Sequence, residues 1–241
     1  MLSYNTPVPI NGQPTPPNAI SSMSTSRNSI GPNLKRAGTS SGSVTSDNTI
    51  AMVNGHPSPK YHHIWLVTGP AGCGKTTVAK HISSRLNIPY VEGDDFHPKA
   101  NVEKMANGIP LTDADRWDWL TALREESLRQ LSAGAEGVVL TCSALKRKYR
   151  DVIRVAPYFS HDVLLHFIYL HAPEAVLMDR VGKRKGHYMG ANMVHSQFSI
   201  LEPPTAEETD VISVDVSGSP DEVLRETMEK VTKKITEAAD D

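Results

Sequence analysis

The octapeptide Gly69-Pro70-Ala71-Gly72-Cys73-Gly74-Lys75-Thr76 fits G-x-x-x-x-G-K-[ST]. It lies between an apolar run, Ile64-Trp65-Leu66-Val67, and a stretch that reads as a helix, Val78-Ala79-Lys80-His81-Ile82. A chain that leaves a strand through so tight a turn and enters a helix at once points successive N–H groups at one anion, along a path that side chains would obstruct. Lys75 adds a mobile cation for the β- and γ-phosphates of a nucleotide, Thr76 a hydroxyl for Mg²⁺, and the helix behind them its positive dipole end. The run from Gly69 to Thr76, with Thr77 beside it, is therefore expected to hold nucleotide phosphates. A glycine-rich turn that binds nothing can match the same pattern, but the flanking strand and helix argue against it.

Composition narrows the remaining classes. The chain has 241 residues, 39% apolar and 22% charged, and no run approaches the ~18 uninterrupted apolar residues of a membrane span. Cys73 lies inside the phosphate loop and Cys142 ends an expected strand, so neither suggests a disulfide framework or a spaced zinc site. Cys73 beside a nucleotide is a candidate for oxidation, or simply a small residue that the loop tolerates. Residues 1–60 hold eight of the 17 prolines, one aromatic (Tyr4) and one acid (Asp47), too little apolar surface to offset chain entropy, so a disordered tail is expected there. The tail has neither a secretory signal pattern nor the Arg-rich amphipathic pattern of a presequence, which makes the cytoplasm the expected compartment. With four of the 25 basic and one of the 27 acidic residues in that tail, the remainder carries a net charge of −5. Such a domain is poorly suited to coating nucleic acid. The short run Lys146-Arg147-Lys148-Tyr149-Arg150 reads as a solvated face or a local anion pocket.

From Tyr61 onward, β-rich runs alternate with helical stretches, and five strands are expected: Ile64 to Thr68, Pro89 to Glu92, Gly137 to Cys142, Val163 to Leu170 and Val211 to Val216. This alternation predicts an α/β domain over 61–241, a three-layer sandwich around a five-stranded parallel sheet. The long stretch of about 95–133 is expected to fold over the site as a helical substrate-binding insertion, and about 183–202, rich in Lys, Arg, His, Gly and Met, as a lid. Ser219-Pro220-Asp221-Glu222 predicts the start of a last helix running to about Ala238.

Ligands of open parallel sheets collect at the carboxyl ends of strands, where the second strand ends in Gly93-Asp94-Asp95-Phe96-His97-Pro98. There Asp94 can accept a hydrogen bond from an acceptor hydroxyl, orient it for in-line attack and take its proton; alternatively both aspartates cap the next helix. Asp95 can also reach Mg²⁺ through water. The third strand, Val138-Val139-Leu140-Thr141-Cys142-Ser143, lacks the acid of a Walker B element. Asp179-Arg180-Val181-Gly182 matches D-x-x-G but falls in an expected helix without a later N-K-x-D, which argues against a GTP switch. After strand three come Lys146 and Arg150, cations suited to an anionic substrate.

The segment Gly93 to Pro98, followed by Asn101, Lys104-Met105, Gly108-Ile109-Pro110-Leu111, Asp113, Asp115-Arg116 and Trp119-Leu120, resembles that of gluconokinases. These are P-loop kinases related to shikimate and nucleoside-monophosphate kinases. Cys142-Ser143-Ala144-Leu145-Lys146 through Tyr149-Arg150-Asp151, and Arg184-Lys185-Gly186-His187-Tyr188-Met189 leading to Gln197-Phe198 and Leu201-Glu202-Pro203, agree with it. The resemblance implies transfer of the ATP γ-phosphoryl group to the C6 hydroxyl of D-gluconate, giving 6-phospho-D-gluconate for the pentose phosphate pathway, with ATP and Mg²⁺ as cofactors and a homodimer as the assembly. It implies catalytic roles for Lys75, Asp94 and the lid residue Arg184, with Arg180 stacked on adenine or touching phosphate. His97, Arg116, Lys146 and Arg150 are then the candidates for holding gluconate, and the sequence leaves open which of them meets its carboxylate. Gln197 and His187 are further candidate lid contacts. A shikimate-like or nucleotide kinase, and a nucleotide-binding regulator without phosphotransfer, are the competing readings.

Overall fold

The computed structural model describes residues 60–183 and 191–240, together with the short strands Met52–Val53 and His56–Pro57. Those two strands pair antiparallel, a small ladder within the stretch expected to be without structure. The rest of the expected tail, and residues 184–190 of the expected lid, lie outside the described residues.

Strands β1 (His62–Thr68), β2 (Tyr90–Val91), β3 (Gly137–Thr141), β4 (Val163–His171) and β5 (Val211–Asp215) form one parallel sheet in the order β2-β3-β1-β4-β5. The helices are α1 (Lys75–Leu86), α2 (Lys99–Ala106), α3 (Trp117–Ser132), α4 (Arg147–Arg154), α5 (Glu174–Gly182), α6 (Ala191–Phe198) and α7 (Pro220–Asp240). β1 is central and the chain winds outward from it in both directions, so the crevice at its carboxyl end is the ligand position of this topology.

Strands covered on both faces must be apolar throughout, yet their side chains still alternate. Trp65, Val67, Val139, Ile168 and Leu170 pack with α1, α5 and α7 on one face, and Ile64, Leu66, Val138, Leu140, Leu165 and Phe167 with α3 and α4 on the other. The segment expected as an insertion divides in two. Trp119, Leu120 and Leu123 bury one face of α3 in the core, so α3 is the crossover helix from β2 to β3, and the excursion is confined to α2 and its flanking loops. At the start of α7 the Ser219 N–H donates to Glu222 Oε2 (3.0 Å) and the Glu222 N–H to Ser219 Oγ (3.4 Å), the reciprocal cap that ends the preceding loop. Among the described residues no helix is long and apolar enough to cross a membrane.

Candidate active site

The loop between β1 and α1 takes the path its glycines allow. Gly69, Gly72 and Gly74 have φ of 137°, 85° and 90°, and a Cβ at Gly69 would lie 2.3 Å from the Leu170 carbonyl oxygen. Thr68 Oγ1 donates to Ser143 O (2.6 Å), fixing the loop to the end of β3. Lys75 Nζ donates to the carbonyls of Gly69 (2.9 Å) and Pro70 (3.0 Å), which holds the ammonium over the loop at the first turn of α1. Ala71, Gly72, Gly74, Lys75, Thr76 and Thr77 line a cavity of about 420 Å³, a size suited to small-molecule ligands.

The second wall is the end of β2. Gly93 donates its N–H to Thr141 Oγ1 (3.1 Å) and accepts from Trp119 Nε1 (2.7 Å); a Cβ there would lie 1.8 Å from Thr141 O, so only glycine fits. This close approach to β3 turns the next residue, Asp94, into the cavity that Lys75 lines. Water reaches 64% of the Asp94 side chain, but the surrounding protein still raises its pKa by desolvation. The Lys75 charge opposes the rise, while Glu92 and Asp95 add to it.

Glu92, to which the sequence gives no role, is the hub of this wall. Its carboxylate accepts hydrogen bonds from the hydroxyls of Tyr90 and Thr141 and from Thr76 Oγ1 (3.1 Å). Burial pushes its pKa up, but the Thr141, Tyr90 and Thr76 hydroxyls and the Lys75 ammonium together hold it below the ordinary value. Burial and the Glu92 contact push Tyr90 up to about 12. An acid two positions before Asp94 at a strand end was the available signal. Asp95 is exposed and does not line the cavity.

The third wall carries His97 and Arg116. His97 stacks on Trp119 with centroids 4.1 Å apart, its Nδ1 is buried without a hydrogen-bond partner among the described residues, and burial, aided by the Arg116 charge, lowers its pKa to about 4. Arg116 Nη1 donates to Leu111 O (2.6 Å), Thr112 O (3.0 Å) and Tyr149 Oη (3.3 Å). The other two candidate cations are not among the lining residues. Lys146 Nζ donates to Asp113 Oδ1 (3.1 Å), a carboxylate that also accepts from Lys148 and the Tyr149 hydroxyl. Arg150 is 1% exposed and grips Glu208 through Nε and Nη2 at 2.7 Å each, with its Nη1 on the carbonyls of Ala144 and Glu202. Its guanidinium is thus committed to joining α4 to the segment before β5.

The fourth wall belongs to the expected lid. Met193, Ser196 and Gln197 of α6 line the cavity, and Gln197 Oε1 accepts the Ala71 N–H (2.7 Å), so the lid helix touches the phosphate loop directly. Arg180, on α5, has its Nη2 3.5 Å from Gly218 O and does not line the cavity. Arg184 and His187 lie outside the described residues.

Residues 66–196 match the family described as AAA domain. The chain is 46% identical over 190 residues to a probable gluconokinase of Schizosaccharomyces pombe, an alignment covering 78% of this chain and 97% of that protein. It is 38% identical over 172 residues to the thermoresistant gluconokinase of Escherichia coli, covering 71% and 95% respectively. A crystal structure of a gluconokinase from Sinorhizobium meliloti superposes with a TM-score of 0.62 at 36% identity, covering 75% of this chain and 95% of that one.

Proposed function

The chain belongs to the gluconokinase family, and from that membership we propose that it transfers the γ-phosphoryl group of ATP to the C6 hydroxyl of D-gluconate. The observation that carries this reading is the convergence of Lys75 and Asp94 on one cavity, from the loop after β1 and the end of β2. The loop N–H groups and the Lys75 ammonium hold the β- and γ-phosphates. Asp94 accepts a hydrogen bond from the C6 hydroxyl and aims its oxygen at the γ-phosphorus. As the new O–P bond forms and the bond to the β-phosphate oxygen breaks, the hydroxyl proton passes to the Asp94 carboxylate and ADP leaves. A carboxylate whose pKa is raised is a better acceptor for that proton.

The protein oxygens facing the phosphates suit a hard cation. Thr76 Oγ1 and the Glu92 carboxylate would hold Mg²⁺, and the ion would supply neutralisation of phosphate charge. Gln197 lines the cavity from the lid side, where a cover over the site would keep out water that competes with gluconate as acceptor. Arg184 and Arg180 are proposed as nucleotide contacts on the family resemblance alone, with residues 61–241 as the catalytic domain. A cytoplasmic homodimer is the setting consistent with the soluble substrates.

Initial rates with gluconate, shikimate and AMP as acceptors test the reading. Turnover with gluconate alone is expected, and Asp94→Asn is expected to lower kcat by roughly 10² to 10⁴ with ATP binding retained. Unchanged turnover in that variant would remove Asp94 from the chemistry.

A further inference from the structure

Four side chains are the candidate partners for a substrate acid, of which His97 and Arg116 line the cavity, and their surroundings separate them. The Lys146 ammonium lies against Asp113, whose carboxylate is also shared by Lys148 and Tyr149. The Arg150 guanidinium is buried against Glu208, with both side chains only 2% exposed. His97 is held neutral by its burial and by the nearby Arg116 charge. Arg116 remains. The two acids next to it in sequence are spent elsewhere, Asp113 as described and Asp115 on Lys104 Nζ (2.6 Å) and on the Thr112 N–H and hydroxyl. Arg116 itself forms no ion pair among the described residues. Its three hydrogen bonds all leave from Nη1 and all end on neutral oxygens.

From this arrangement, and resting on the gluconokinase reading above, we infer that Arg116 is the residue that makes the acceptor site select an acid, receiving the substrate carboxylate on the edge formed by its Nε and Nη2. That edge presents two parallel N–H donors, the planar fork that matches a carboxylate bidentately. The Nη1 bonds to Leu111, Thr112 and Tyr149 hold the guanidinium plane still, so little rotamer freedom remains to be lost on binding. Among the described residues the only other Lys or Arg on the cavity wall is Lys75, which belongs to the phosphate loop. The Lys104–Asp115 and Lys146–Asp113 pairs have a matching role. They occupy the acids of the same loop, Asp113 and Asp115, leaving Arg116 without an ion pair among the described residues.

The experiment compares the wild-type protein with Arg116→Gln and Arg116→Lys, measuring KM for D-gluconate, KM for ATP and the inhibition constant of D-glucitol, a polyol of the same chain length without a carboxylate. Arg116→Gln is expected to raise the gluconate KM about 10- to 100-fold, the range for loss of a charge-assisted hydrogen bond. The ATP KM and any glucitol inhibition should stay within about two-fold on the same reasoning, since neither ligand meets the lost fork. Arg116→Lys should recover part of the loss, because it keeps the charge and loses the fork. A gluconate KM unchanged in Arg116→Gln would overturn the inference and leave the kinase reading standing. So would parallel rises in the KM values of gluconate and ATP, which would mark a general distortion of the cavity. No turnover of gluconate by the wild-type protein would overturn the kinase reading itself, and the inference with it.

Discussion

Gly93 and Glu92 show how much of this site is set by single side chains, or by the lack of one. Because Gly93 touches β3 backbone, the chain at Asp94 is held where its side chain lines the cavity that Lys75 also lines. Glu92 ties the Thr76 hydroxyl to β2 and β3 through three hydroxyl donors, so it positions a group proposed to hold Mg²⁺. Replacing Glu92 by Gln removes its charge with little change of shape. It is expected to raise the Mg²⁺ concentration needed for half-maximal rate about 10- to 100-fold, the range for partners that orient a metal ligand. A magnesium titration of initial rate at saturating gluconate checks this, and an unchanged requirement would reduce Glu92 to a structural tie.

At the scale of elements, the important joint is between α4 and the segment leading from the lid into β5. Arg150 and Arg154 both grip Glu208, Arg154 also takes Asp210, and Glu202 receives the Arg147 N–H while its own N–H donates to Leu145 O. The segment that follows α6 is therefore fixed to α4, the helix that follows β3. Glu208 has its pKa lowered to about 2, chiefly by Arg150, against the effect of burial. Removing one partner of such a buried pair leaves a charge without compensation. Glu208→Ala is expected to cost about 3 to 5 kcal/mol in urea unfolding, whereas Arg150→Met with Glu208→Leu should recover most of it. Equal losses in the single and double variants would show that packing, rather than the stranded charge, sets the cost.

The whole molecule carries a pH dependence written across its sheet. His63 Nδ1 and His166 Nε2, on neighbouring strands, are 3.1 Å apart, and the His166 ring stacks on Trp65 with centroids 4.3 Å apart. Burial, then the neighbouring His63 and Lys234, lowers His166 to about 4, and His97 falls to about 4 as well. The folded protein keeps these rings neutral while the unfolded chain protonates them near their ordinary value of 6.5. Stability is therefore complete above about pH 6.5 and is lost as pH falls from there towards 4, at up to about 1.4 kcal/mol per pH unit for each ring. Unfolding free energy at pH 5 is expected to lie about 2 to 4 kcal/mol below that at pH 7.5. Denaturant melts over that interval, above the range where carboxylates titrate, check it; a flat profile would contradict the neutral histidines.

Local order along the chain determined the phosphate loop, the five strands and the parallel α/β class, because each rests on neighbours: glycines before a lysine, apolar runs between helical stretches, a Ser-Pro-Asp-Glu start to the last helix. The carboxylate at the end of β2 was legible for the same reason, since strand ends are where this topology binds ligands. What only the folded molecule decided was how charge is shared. Lys146, Arg150 and Arg116 look alike in one dimension, and their different tasks follow from Asp113 and Glu208, which lie 33 and 58 residues from the cations they engage. Glu92 acquired its place in the same way, from Thr76 on one side and Thr141 on the other. Electrostatic partnership depends on distance and burial in three dimensions, so a residue's type announces that it is charged, and the fold alone determines what that charge is free to bind.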